Sequence, residues 1–155
     1  MIVVLVGTNP YSFNRLVRAA DDYAGRTGEQ MFVQLGNTKY IPVNAHYKRF
    51  LQREDLIKKI EEADLVITQG GFGSIADCLR AGKKVVAVPR KPELNEAPDR
   101  QEDLVRELEK SGRLIGVFDI EDLPEAIEKA KKKDFKNAKK HRINRLISQF
   151  IETHS

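Results

Sequence analysis

Five short apolar runs recur along the chain, at residues 1–6, 30–35, 65–68, 84–88 and 114–118, each bounded by glycine or proline. Stretches with helical spacing fall between them, at about 13–23, 53–62, 74–81, 100–111 and 123–131. A continuous apolar run of strand length suits a strand buried on both faces, and strands that alternate with helices form a parallel sheet. The pattern predicts an α/β fold, a single Rossmann-like domain whose parallel sheet carries helices on both faces. Residues 43–51 fit neither period and are expected as a loop that could hold a short strand.

At 155 residues, 41% of them hydrophobic, the chain can bury one core and has no room for a second full domain. The expected division is a Rossmann-like unit at 1–131 and a basic amphipathic C-terminal helix at 132–155. No apolar run approaches the ~20 residues of a membrane span, and residues 1–6 are too few for a secretory apolar region, so a cytoplasmic location is expected. The lone Cys78 excludes an internal disulfide and a cysteine-based metal cluster, and fits a reducing compartment. It is expected to pack as a small apolar residue. His46, His141 and His154 lack metal-ligand spacing, so no metal site is expected.

The net charge of +4 hides an asymmetry. Residues 129–145 hold nine Lys or Arg and one acid, Asp134, a local excess of +8 that leaves −4 for the rest. Within the tail, Ile143, Leu146, Ile147, Phe150 and Ile151 recur at helical spacing. Such a stripe either packs back on its own sheet or docks on a partner chain or a membrane surface. Nucleic acid is not expected, because no aromatic residues are interleaved with the basic ones.

The segment LVITQGGFGS, residues 65–74, runs an apolar strand straight into Gly70, Gly71, Gly73 and a helix opening at Ser74. Backbone amides and the helix dipole at such a start suit a phosphate or diphosphate. The same glycines also simply permit a tight turn. Asp77, one turn further, could accept hydrogen bonds from ribose hydroxyls; equally, Ser74 to Asp77 has capping-box spacing, which spacing alone favours. Gly71, Gly73 and Ala76 match a G-x-G-x-x-A dinucleotide fingerprint, but the next strand ends in Pro89-Arg90 where that site wants an acid. Ligands of open parallel sheets bind beyond the carboxyl ends of the strands, which singles out Gly7-Thr8-Asn9, residues 69–74, residues 89–101 and the segment near Phe50.

Several blocks in order, VLVGTNPYSFNRLVRAAD, EQMFVQLGNTKYIP, HYKRFL, EEADLVITQGGFGSIADCLRAGKKVVAVPR and DRQEDLVRELEKSGRLI, resemble the glycosyltransferase family 28 C-terminal domain. Within that group they look most like the PssE-type subunits of polysaccharide synthesis and the small catalytic subunit of the dolichol-linked N-acetylglucosamine transferase. The resemblance implies the C-terminal half of a GT-B enzyme that binds a UDP-sugar donor and needs no cofactor. It puts Gly7, Thr8 and Asn9 near the diphosphate, Phe50 and Leu51 near the uracil, and Gly70, Gly71, Gly73 and Ser74 around the phosphates, with Gln69 among the nucleotide-sugar-binding residues. Asp77 falls where the family usually has a ribose-binding glutamate, and Gln101 would approach the sugar. Gln69 stands where these subunits commonly have histidine; both that change and the shorter acid keep hydrogen-bonding ability, though the first removes a titratable group.

The implied activity is a metal-independent, inverting hexosyl transfer to a lipid-linked or polysaccharide acceptor. A membrane-associated, PssD-like subunit would bind the acceptor and hold this chain at the cytoplasmic membrane face. No residue of this chain suggests itself as the general base. Two other classes stay open: the GGFGS turn also resembles the PGGxGTxxE motif of nucleoside-monophosphate phosphoribohydrolases, with Gln69 in place of the proline, and a non-enzymatic nucleotide-sugar-binding module fits as well.

Overall fold

The computed structural model describes residues 1–135 together with 145 and 148. Strands β1 (Ile2–Leu5), β2 (Met31–Gln34), β3 (His46–Lys48), β4 (Leu65–Gln69), β5 (Lys84–Val88) and β6 (Ile115–Gly116) form one sheet ordered β3-β2-β1-β4-β5-β6. Every neighbouring pair is parallel. Helices α1 (Asn14–Thr27), α2 (Arg53–Glu62), α3 (Phe72–Arg80), α4 (Glu102–Lys110) and α5 (Leu123–Lys132) connect and cover it, with short 3-10 turns at Pro92–Leu94 and Ile120–Asp122.

Alternation along each strand builds two cores. Ile2, Val4, Val33, Ile67 and Val86 pack against Leu16, Val17 and Ala20 of α1 and Ile127 of α5. Val3, Leu5, Val66 and Val85 face the other way, onto Ile60, Ile75, Leu79, Leu104 and Leu108 of α2, α3 and α4. Because the order grows outward from β1 in one direction and from β4 in the other, right-handed crossovers put α1 and α3 on opposite faces. The central strands are buried on both sides, and each buried Val, Leu or Ile contributes about 1.5–3 kcal/mol. This is the three-layer Rossmann-like arrangement that the strand and helix pattern predicts.

Several boundaries differ from the sequence expectation. Helix α1 runs on to Thr27, beyond residue 23, because it ends only where Gly28 takes the left-handed conformation, φ 74°, and its N–H bonds back to the Ala24 carbonyl. Helix α3 begins at Phe72, not Ser74: Gly71 is its extended N-cap residue and no side chain caps it, so the Ser74–Asp77 capping box does not form. Strand β6 is only two residues long, and at this sheet edge the Gly116 N–H donates to the Glu109 carboxylate at 2.6 Å. Residues 46–48 do form a strand, exposed at the sheet edge. Cys78 is buried, as expected of an apolar filler, and burial pushes its thiol pKa up. The tail stripe from Ile143 to Ile151 lies outside the described residues.

Edge strand β3 owes its place to Asp21, a carboxylate with no exposed surface on α1. It accepts the backbone N–H groups of Val43 (2.9 Å), Asn44 (2.8 Å) and Ala45 (3.1 Å) and the Tyr40 hydroxyl (2.8 Å). Burial pushes the Asp21 pKa up, but these donors outweigh it and hold the group below its ordinary value. The clasp is therefore fully stabilising above the ordinary carboxylate pKa and is lost as pH falls through the lower native value. Asp21→Ala leaves several donors unpaired and should cost about 2–4 kcal/mol at neutral pH. Urea titration at pH 7 and pH 3 checks this, the difference between variant and wild type shrinking at the acid end.

Candidate functional site

Strand order reverses between β1 and β4, so the loops that leave their carboxyl ends diverge and open a crevice. A cleft of about 640 Å³ lies there. Its walls include Gly7 and Thr8 after β1, Leu51 and Arg53 before and on α2, Gln69 at the end of β4, and Gly73, Ser74, Asp77 and Arg80 on α3. Seven residues singled out from the sequence thus meet around one space: Gly7, Thr8, Leu51, Gln69, Gly73, Ser74 and Asp77.

The first turn of α3 forms one wall. No side chain caps this helix, and a Cβ at Gly73 would meet nothing within 4 Å, so the backbone there faces open space. Uncapped N–H groups at a helix start, with the dipole behind them, make an anion-binding surface. Opposite, Gly7 takes φ +88°, a conformation that favours glycine. Gln34, buried at the end of β2, shapes this turn: its Oε1 accepts the N–H groups of Val6 (3.1 Å) and Gly7 (2.8 Å), while Nε2 donates to the carbonyls of Gly7 (3.0 Å) and Arg49 (2.9 Å).

Asp77 faces the cleft but is engaged. Arg53 grips it bidentately, Nη1 to Oδ2 at 2.6 Å and Nη2 to Oδ1 at 2.8 Å, and Arg80 stands at 3.8 Å. The hydrogen bond to Asp77 raises the Arg53 pKa. Arg53 is largely exposed, so the pair adds little stability, and a ligand hydroxyl can compete for the carboxylate.

The remaining candidates lie off the cleft wall. Gly70 is buried, with Pro89 Cα only 2.9 Å from where its Cβ would stand. Gly71 is the N-cap residue of α3. Asn9 is engaged locally: its side chain accepts the Tyr11 N–H at 2.9 Å and its carbonyl accepts from the Asn37 amide at 3.1 Å. Phe50 is 52% exposed, and Phe72 on α3, 51% exposed, lines the cleft. Gln101 sits beneath the loop, its Oε1 accepting the N–H groups of Gly70 (3.1 Å) and Arg90 (3.0 Å).

Arg90 underlies all of this. It is 1% exposed and donates to Gln69 Oε1 (3.0 Å) and to the carbonyls of Tyr11 (3.1 Å), Glu96 (2.8 Å) and Val6 (2.8 Å), with the Phe13 ring 4.8 Å away. Burial pushes its pKa down to about 10, against the pull of Glu96. The Glu96 carboxylate is itself held by Arg15, both contacts at 3.0 Å, and by the Lys91 N–H. Arg90, Arg15 and Glu96 together carry one net positive charge behind the β1 and β4 loops. Gln34, Arg53 and Arg90 were missed as site residues. A polar residue ending a buried apolar run was the available signal for Gln34 and Arg90; nothing local marks Arg53. Among the described residues no cluster of His, Cys, Asp and Glu could hold a metal ion.

A family model described as the glycosyltransferase family 28 C-terminal domain matches residues 1–153. No curated protein matches the sequence. Solved structures with the same fold include glycosyltransferase SnogD from Streptomyces nogalater, at 16% identity and TM-score 0.61, covering 95% of this chain and 38% of that one. Acinetobacter baumannii MurG aligns at 18% identity and TM-score 0.54, covering 94% and 49%. The UDP-GlcNAc 2-epimerase of Methanocaldococcus jannaschii, solved with UDP-GlcNAc and UDP, aligns at 13% identity and TM-score 0.65, covering 99% and 45%. This chain therefore spans less than half the length of these structures.

Replacing Gln34 by leucine keeps its volume but strips the side-chain partner from the Gly7 N–H and from the Gly7 and Arg49 carbonyls, while the Val6 N–H keeps its bond to the Gln34 backbone carbonyl. The expected cost is about 2–3 kcal/mol, seen as a lowered midpoint in urea with an unchanged slope.

Proposed function

This chain belongs to the glycosyltransferase family 28 C-terminal domain family, and from that premise we propose that it is the donor-binding half of a UDP-sugar-dependent glycosyltransferase. The observation that carries the reading is the cleft at the β1/β4 switch point, where an uncapped helix start and the Gly7 turn face each other across about 640 Å³. In this reading the diphosphate lies between the first turn of α3 and the Gly7-Thr8 loop. The ribose hydroxyls replace Arg53 on Asp77, and the uracil lies toward Leu51 and Phe50.

The chemistry follows from what lines the cleft. Departure of UDP from the sugar builds negative charge on the diphosphate, which fixed N–H donors near a buried positive cluster stabilise without reorganising. Asp77 is the one acidic side chain among the described residues that line the cleft. It is committed to the nucleotide, so the base that takes the acceptor's proton comes from the acceptor side. We assign that side to a membrane-associated, PssD-like subunit carrying a lipid-linked or polysaccharide acceptor, with inverting transfer, as in PssE-type pairs. Its support is that the larger glycosyltransferases sharing this fold are about twice as long or longer, and that Phe50 and Phe72 stand exposed near the cleft.

Calorimetric titration with UDP, and with AMP as comparator, tests the reading. Saturable UDP binding is expected, about tenfold weaker in Asp77→Ala, with AMP binding more weakly. Preference for AMP would instead favour N-glycosidic cleavage of a nucleoside monophosphate.

A further inference from the structure

The outer face of α1 carries Asn14, Arg18, Asp22 and Arg26, all exposed and four residues apart, so they form one stripe along a 14-residue helix about 21 Å long. A groove of about 750 Å³ runs beside the stripe, with Ala19, Ile120 and Pro124 as its apolar lining and Glu121 on the wall contributed by the 3-10 turn. Four charges in this groove stand without an opposite one. Asp22, Arg26 and Glu121 have no side-chain ion pair or hydrogen bond among the described residues, and Arg18 only stacks on Tyr40, 5.2 Å from the ring centroid. Arg15, the remaining charge on this wall, is paired with Glu96. The four sum to zero, two positive and two negative. A polyanion does not match such a wall; a surface with the same mixed signs does.

We propose that this groove is a two-fold interface in which α1 of a second copy of this chain lies antiparallel on α1 of the first. Laid backwards against itself at full overlap, the stripe sets Arg18 opposite the partner's Asp22, Asp22 opposite the partner's Arg18, and Arg26 opposite the partner's Asn14. Glu121 completes the match. Tyr23 of α1 meets Glu128 of α5 at 2.5 Å, and both helices run from the carboxyl end of the sheet, so Glu121, seven residues before Glu128, stands near the Asn14 end. That is where the partner's Arg26 arrives. Each unpaired charge thus gains an opposite one, and no like charges meet. A slip of one helical turn destroys this: in one direction Asp22 opposes the partner's Asp22 and Arg18 the partner's Arg26, and in the other Arg18 opposes the partner's Arg18. The charges therefore fix the register as well as the partner. The apolar lining is small, so the dimer is a weak one. None of these residues lines the donor cleft, which stays open in the pair.

Sedimentation equilibrium of the full chain, at up to about 1 mM where small interfaces associate, is expected to show a monomer–dimer equilibrium that weakens with added salt. Arg18→Asp opposes acids twice across the axis, and Asp22→Arg opposes bases twice, so each variant alone should dimerise at least about tenfold more weakly. Mixed one to one, the two variants should associate with each other within about threefold of wild type, and the double variant Arg18→Asp/Asp22→Arg should do the same with itself. The mixture separates charge repulsion from misfolding, because a chain that had failed to fold would not be rescued by its complement. A wild-type chain that stays monomeric would overturn the proposal. So would a dimer that withstands both single reversals, which would put the contact on another face, or a mixture that fails to associate.

Discussion

The parallel pairing of β1 with β4 is the contact on which everything else depends. Val3 lies opposite Val66 and Leu5 opposite Thr68, so the two strands end level with each other, yet the chain leaves them toward opposite faces of the sheet. A gap at their carboxyl ends is the geometric consequence, and no side chain has to be spent to make it. The Gly7 turn and the start of α3 face each other only because this register holds. Pairing of β1 with β2 then carries Gln34 to the same end of the sheet, where it organises the Gly7 turn.

A second constraint is electrostatic. Burying a guanidinium is costly unless its donors are met, and Arg90 meets that cost with carbonyls of the loops after β1 and β5 and with the Gln69 amide at the end of β4. Removing it would leave those acceptors unpaired, so Arg90 ties the loops after β1, β4 and β5 into one body. The Glu96 carboxylate, whose charge acts on Arg90, is ion-paired with Arg15. The loop floor therefore keeps a net positive charge under a concave surface of backbone donors. That combination favours an anion over a neutral ligand.

Much of the fold was legible in the chain because buried parallel strands need continuous apolar runs. Residues 84–88 read correctly for that reason, and α2 was found at its observed bounds, Arg53–Glu62, from its spacing. Errors gathered where a local signal competes with a tertiary one. Ser74 resembled a cap because a serine three residues before an acid fits a capping box. The helix instead starts at Phe72, where Gly71 can adopt the extended cap conformation. His46–Lys48 carried no alternation because all three residues are exposed, and their strand exists by virtue of Asp21, twenty-odd residues upstream.

What the sequence determined by itself was the class of the fold, the number of its layers and the loops that bear glycine. Hydrophobic periodicity and backbone permissiveness are properties of neighbouring residues. Tertiary structure alone decided which loops share a cleft, that Asp77 meets Arg53, and that Gln101 faces Gln69 and leaves Gln69 Nε2 turned away from Arg90. Those partners lie 24 and 32 residues apart, and hydrogen-bond direction depends on which donors surround a group in space. No periodicity along the chain encodes that, so the orientation of the candidate site's chemistry appears only once the strands are in register.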